Sequence, residues 1–194
     1  SISVSDVVRT MDINKPDSLD SKLIGIKNEP LVIYTALFGD YDNLMEPPEK
    51  FENCIFICFT DQTHLKSDIW DIRLVEKLNL PENMLNRFYK FFPNQFLYNY
   101  EISLYIDDNI RLLSSPYDLV EKYLVEDLIA VPDHGRRHCI YDEAKAVILA
   151  GKAPSKIVNT QMIDYEMDGF PKNYGLVEMN IIFRRHMNED IIRL

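Results

Sequence analysis

The sequence predicts an α/β domain on a mixed sheet, and three observations carry that expectation. Short β-type apolar runs alternate with helical patterns along most of the chain. Hydrophobic residues make up 46% of 194 residues, enough for one full globular core. The strand-like runs end in abrupt polar punctuation, as at the carboxyl ends where open α/β sheets bind ligands.

The elements follow in order. Residues 1–30 are polar and weakly periodic, with a turn at Lys15-Pro16-Asp17, and read as an arm on a domain spanning 31–194. Strands are expected over 31–38, 54–59 and 70–75, the first ended by Gly39 and the second by Thr60-Asp61. A helix over about 81–92 has Met84, Leu85, Phe88, Phe91 and Phe92 as its buried stripe. The run 102–106 reads as a buried central strand leading straight into Asp107-Asp108-Asn109. Ser115-Pro116 suits an N-cap and first turn, with Leu119, Val120, Tyr123 and Leu124 facing inward. A short strand over 128–131 precedes two helices. The first ends at Gly151, and the second, over 155–168, stops at Gly169 and Pro171. Gln161 and Tyr165 fall on its stripe with Ile157, Val158 and Met162. A last strand, 180–183, runs into Arg184-Arg185-His186.

Composition excludes some classes of function. A net charge of −10 with no basic face argues against a nucleic-acid partner. No run approaches transmembrane length, and the N-terminus has no signal-peptide pattern, so a cytoplasmic location, at most against the inner membrane face, is expected. Cys54, Cys58 and Cys139 are an odd number without metal-like spacing, which fits a reducing compartment.

The chemistry lies at the strand ends. Gly39-Asp40-Tyr41-Asp42, Thr60-Asp61, Asp107-Asp108-Asn109, Pro132-Asp133-His134 and Arg184-Arg185-His186 each follow an apolar run. If they converge on one rim they form a pocket of acids, histidines and arginines. Packing does not ask for oxygen carriers at the end of a buried strand, and such hard donors suit Mg²⁺ or Mn²⁺. A metal–diphosphate site is the leading expectation. Asp107 and Asn109 share strand parity if the strand continues that far, with Asp108 facing the donor or capping a turn. Arg87 and Lys90 are neighbours on one helical face, either solvated or placed to neutralise a diphosphate. Glu143 sits at a helix start, where the dipole favours an acid in any case. His134 and His186 are either ligands or hydrogen-bonded structural histidines.

Five strings, "YTALFGDYDNL", "CFTD", "NRFYKFFPNQFLYNYEISLYIDDNIRL", "AVPDHGRRHCIYDEA" and "VEMNIIFRRH", together resemble one family across about 31–190. It is the glycosyltransferase-like domain family of bacterial surface-polysaccharide proteins and plant mucilage-related glycosyltransferases. The resemblance implies a GT-A-like α/β/α sandwich with a mixed, mostly parallel sheet, working on a nucleoside-diphosphate sugar and a hydroxyl acceptor in polysaccharide or glycoconjugate synthesis. It implies Asp107 and Asn109 as metal ligands, with Asn in the last place, and His186 as the third. Thr35, Phe38, Gly39, Tyr41 and Asp42 match the nucleotide-binding end, and Asp61 a base or ribose contact. Arg87 and Lys90 match the basic pair. His134 and Arg136 or Arg137 match an H-x-x-R region. Family members continue into a tryptophan-containing helix and an Arg-Asp-Gln motif, so a chain ending at Leu194 is expected to lack the acceptor-side segment.

The expected reaction is metal-dependent glycosyl transfer. An inverting enzyme would need a carboxylate base, for which Glu143, Asp133 and Glu178 are unranked candidates, and Asp108 is a further catalytic candidate if it faces the donor. Two rivals remain. One is a non-catalytic nucleotide-sugar or glycan-binding domain. The other is a metal-dependent hydrolase, disfavoured because an aspartyl nucleophile would want Asp-x-Asp directly after the first strand, whereas Asp40 and Asp42 follow a glycine.

Overall fold

The computed structural model describes residues 29–39, 43–76, 82–124 and 126–194. Most of the expected arm, together with Asp40, Tyr41 and Asp42, lies outside the described residues. The chain divides into two compact units, Ser1–Val131 with Met179–Leu194, and Pro132–Glu178.

The first unit carries the sheet. Its strands are β1 (Leu31–Leu37), β2 (Cys54–Thr60), β3 (Asp71–Leu74), β4 (Ser103–Ile106), β5 (Ile129–Ala130) and β6 (Ile181–Arg184), in spatial order β3-β2-β1-β4-β6-β5. β1 pairs in parallel with β2 and β4, and β2 with β3; β6 runs antiparallel to both β4 and β5. The α/β class and mixed, mostly parallel sheet are therefore as expected. β1 is buried at all seven positions, which explains its unbroken apolar run.

Alternation along the strands feeds two cores. One face gathers Ile33, Cys58, Leu104 and Phe183 with Val120 and Leu124, which belong to helix α2 (Tyr117–Tyr123) and its C-cap. The other gathers Val32, Tyr34, Ile57, Phe59, Tyr105 and Ile182 with Leu85 and Tyr89 of helix α1 (Glu82–Phe91). The layers are α/β/α. The buried stripe of α1 differs from the expected one: Leu85 and Tyr89 are buried, while Met84, Phe91 and Phe92 are exposed. Ring packing decides this rotation. Tyr89 stacks on Phe59 at 4.8 Å and meets Phe38 at 5.4 Å and Phe96 at 4.7 Å.

The same rotation brings the C-terminal end of α1 over a buried cation. Arg184, 4% exposed, donates from Nη2 to both the Tyr34 hydroxyl and the Lys90 carbonyl oxygen. The Tyr34 hydroxyl donates to that same carbonyl at 3.1 Å. Lys90 lies in the last turn of α1, where carbonyls lack helical partners and carry the negative end of the macrodipole. A guanidinium there satisfies a carbonyl and meets favourable charge. Two residues on, His186 is 1% exposed, and its Nε2 lies 3.0 Å from the Leu97 carbonyl oxygen.

The second unit contains helices α3 (Ile140–Leu149) and α4 (Ser155–Met167); the chain returns to the first unit for β6 and the short α5 (Glu189–Ile192). Both expected glycine stops are present, with Gly151 at φ 65° and Gly169 at φ 75°. The amide N–H groups of Lys152 and Phe170 reach back to the carbonyls of Val147 and Tyr165. The inward stripe of α4 is narrower than expected: Val158 is buried, whereas Ile157 and Gln161 are exposed.

Two measurements probe this frame. Arg184→Met should lower the unfolding free energy by about 3 kcal/mol, and Tyr34→Phe by about 1 kcal/mol, in urea titrations. For His186, burial is the main cause that lowers its pKa from 6.5, assisted by the Arg184 charge and opposed by the Leu97 bond. The folded protein thus keeps it neutral where the unfolded chain binds a proton, so its contribution is present above pH 6.5 and lost as pH falls through the lowered value. Moving from about pH 7.5 to about pH 5.5 should therefore lower the urea midpoint more in the wild type than in His186→Gln.

Candidate functional site

The five strands β1 to β5 point their carboxyl ends at one rim, whereas β6 is antiparallel and presents its amino end there. The expectation that all five polar strand ends converge is thus corrected. Arg184 pairs with Ser103, four residues before Asp107, and His186 lies two residues farther in the same direction. His186 therefore lies in the turn after β6, beyond the end of the ladder opposite to Asp107. It cannot complete a metal shell there, and its ring is engaged in the core.

Asp107 is the best-built residue at the rim. Its amide N–H donates to the Asn180 carbonyl at 2.9 Å, one step beyond the β4–β6 ladder. Its carboxylate Oδ1 receives the Lys90 ammonium at 3.0 Å. Lys90 is only 15% exposed at its side chain, and its Nζ lies 4.8 Å from the Tyr105 ring centroid. Burial, and then the Asp107 charge and hydrogen bond, drive the Tyr105 hydroxyl well above its usual pKa. The phenol therefore stays protonated. Alternation could have pointed to Tyr105, since it lies two residues before Asp107 on the same strand face.

After Asp107 the strand stops. The Ile110 amide N–H donates to the Asp107 carbonyl at 2.9 Å, closing a turn that leaves Asp108 half-buried and Asn109 exposed. The shared parity of Asp107 and Asn109 does not hold, because the turn replaces extended backbone. The Asp108 charge adds to the rise that burial causes at the Cys58 thiol, which is pushed up to about 12.

Beside it, the Gly39 amide N–H donates to Asp61 Oδ1 at 3.1 Å, and its carbonyl accepts from Gln62 Nε2. Gly39 has φ 78°, a conformation that suits glycine. Asp61 and Gln62 therefore clamp the loop after β1; nothing in the sequence pattern singled out Gln62. Two expected nucleotide contacts are corrected. Thr35 is 0% exposed within β1, and Phe38 is a core ring at 4%. Arg87 is exposed on α1. Tyr41 and Asp42 lie outside the described residues.

Among the described residues, no group of three or more His, Cys, Asp or Glu side chains is arranged to hold a metal. The donors Asp107, Asp108 and Asn109 are hard oxygens on an open turn. They fit a divalent cation that draws much of its shell from diphosphate oxygens and do not fit one caged by protein alone. A hollow of about 790 Å³ lined by Leu65, Ser67, Trp70 and Ile72 contains none of the candidate residues.

The second unit has its own polar cluster. His134 Nδ1 accepts the amide N–H groups of Arg136 at 3.2 Å and Arg137 at 2.9 Å. Those bonds place the ring proton on Nε2, which faces Glu143 Oε2 at 3.4 Å and Glu178 Oε1 at 3.8 Å. The Arg137 Nε donates to the same Glu143 oxygen. His134, Arg137, Glu143 and Glu178 thus come together, while Asp133 and Arg136 are exposed.

No helix among the described residues is long and apolar enough to cross a membrane. No solved structure matches the chain. The probable hexosyltransferase MUCI70 of Arabidopsis thaliana is 26% identical over 190 residues, covering 88% of this chain. The chain spans 31% of the length of that relative. The TOD1/MUCI70 glycosyltransferase-like domain matches residues 11–188, starting some way before the expected domain boundary. With that match across most of its length, and with an α/β sheet of the expected kind, the chain belongs to the TOD1/MUCI70 glycosyltransferase-like domain family.

Proposed function

We propose that this domain transfers a sugar from a nucleoside-diphosphate sugar to a hydroxyl acceptor, in polysaccharide or glycoconjugate synthesis, with Mn²⁺ or Mg²⁺ at the donor diphosphate. The observation that carries the reading is Asp107, anchored by Lys90 at the carboxyl end of a central strand. Asp107, with Asp108 or Asn109, would hold the cation, which supplies Lewis-acid stabilisation of the leaving diphosphate.

The chain's own residues have separable roles in this scheme. Gly39, kept in place by Asp61 and Gln62, shapes the backbone that the nucleotide meets. Lys90 and Arg87 offer positive charge where negative charge builds on the leaving group. Asp108, half-buried in the turn after β4, is the carboxylate proposed to face the sugar. The acceptor hydroxyl must lose a proton, and three carboxylates were candidates for that base. Glu143, Asp133 and Glu178, all in the Pro132–Glu178 unit, are those candidates. His134 with its proton on Nε2 is a donor toward carboxylates and acts as an orienting group.

Calorimetric titration of UDP and GDP, with Mn²⁺ and with EDTA, tests the donor site. One nucleotide should bind at least about tenfold more tightly with metal, corresponding to some 1.4 kcal/mol. Asp107→Ala should erase that difference while retaining the circular dichroism of the wild type. Equal nucleotide affinity in the two proteins would remove Asp107 from the site.

A further inference from the structure

Lys90 is held at two points by different parts of the first unit. Its carbonyl is gripped by Tyr34 and Arg184, so the backbone cannot swing away from the sheet. Its ammonium rests on Asp107 at 3.0 Å, above the ring of Tyr105. Only the four-carbon stem between these points is free to rotate. The head group therefore occupies one of the carboxylate oxygens that a divalent cation at Asp107 would need.

A second positive charge on that carboxylate is repelled by Lys90, and an anion lying between the two cations relieves the repulsion. A diphosphate is such an anion: its oxygens can take the ammonium on one side and the cation on the other. A lysine suits this exchange better than an arginine, being a compact charge on a flexible stem with no planar fork to break. The Tyr105 ring offers the ammonium a favourable surface beside its resting position.

We propose that Lys90 is a built-in counter-ion that keeps the cation off Asp107 until a nucleoside diphosphate arrives, making metal and nucleotide bind as a coupled pair. The proposal rests on the donor-site reading above. In the free protein Lys90 neutralises Asp107. In the bound state it pairs with a diphosphate oxygen, and Asp107 becomes a metal ligand. Linkage makes the coupling reciprocal: nucleotide strengthens metal binding by the factor by which metal strengthens nucleotide binding.

The test is Mn²⁺ titration into the folded protein, followed by calorimetry and by water-proton relaxation, alone and with saturating UDP or GDP. In the wild type, Mn²⁺ alone should bind weakly and nucleotide should strengthen it at least about tenfold. Lys90→Met should bind Mn²⁺ alone about tenfold more tightly than the wild type, and nucleotide should add much less. Unchanged Mn²⁺ affinity in Lys90→Met would overturn the proposal. A second pair of variants does not depend on the folding of Lys90→Met. In EDTA, Asp107→Asn should bind nucleotide more tightly than the wild type because Lys90 is released, while Asp108→Asn, with the same change of charge, should not. Equal gains in both would mean general charge relief and would also overturn it. A wild type that binds nucleotide equally well with Mn²⁺ and with EDTA would leave a nucleotide site but sink the coupling. No nucleotide binding under any condition would instead sink the donor-site reading, and the coupling with it.

Discussion

The grip of Arg184 and Tyr34 on the Lys90 carbonyl is the constraint on which the first unit's candidate site depends. A guanidinium buried to 4% exposure is costly unless its donors are met. Here Nη2 meets a tyrosine hydroxyl on β1 and a carbonyl at the negative end of α1, while the buried Nε has no hydrogen-bond partner. That solution fixes the end of the helix over the sheet. It also sets where the Lys90 side chain begins, and so where its ammonium can reach. A helix rotated to bury Phe91 and Phe92 would carry Lys90 elsewhere, and Asp107 would lose its partner.

The direction of β6 matters as much. Because it runs antiparallel to β4, its polar tail emerges at the rim opposite to Asp107, and the strand's cation and histidine serve the core. Arg184 acts through Lys90 rather than on a ligand. His186 holds the carbonyl of Leu97, just beyond the 3-10 turn Pro93–Gln95 that follows α1. Two residues that look like site residues in the sequence thus support the helix that places one.

The two polar clusters differ in chemical character. At β4 a carboxylate is balanced by an ammonium that lies near the Tyr105 ring, an arrangement an incoming cation can disturb by exchange. In the Pro132–Glu178 unit, His134 Nδ1 is committed to two backbone amides, and Glu143 to a guanidinium. That arrangement orders the loop 134–137 and leaves Nε2 aimed at carboxylates. Membership of the TOD1/MUCI70 family gives both clusters a common context.

Much of this was legible in the sequence, for local reasons. Strands β1, β2 and β4 announced themselves by β-type apolar runs, the helix stops by Gly151 and Gly169, and Asp107 by being an acid directly after a buried strand. The motif strings around these elements also carried the family. The direction of β6 was not legible, since a period of two is the same read up or down. Nor was the face of α1, where several aromatic residues could each have formed the stripe and only the rings of Phe38, Phe59 and Phe96 chose Tyr89. The parity of Asp107 and Asn109 failed because a turn closed where extended backbone was assumed. The sequence by itself determined which residues are apolar, where the chain must turn, and which side chains could do chemistry. Tertiary structure alone decided which of those side chains meet, because the Lys90–Asp107 and Arg184–Tyr34 pairs join residues far apart in the chain, through packing that no local pattern encodes.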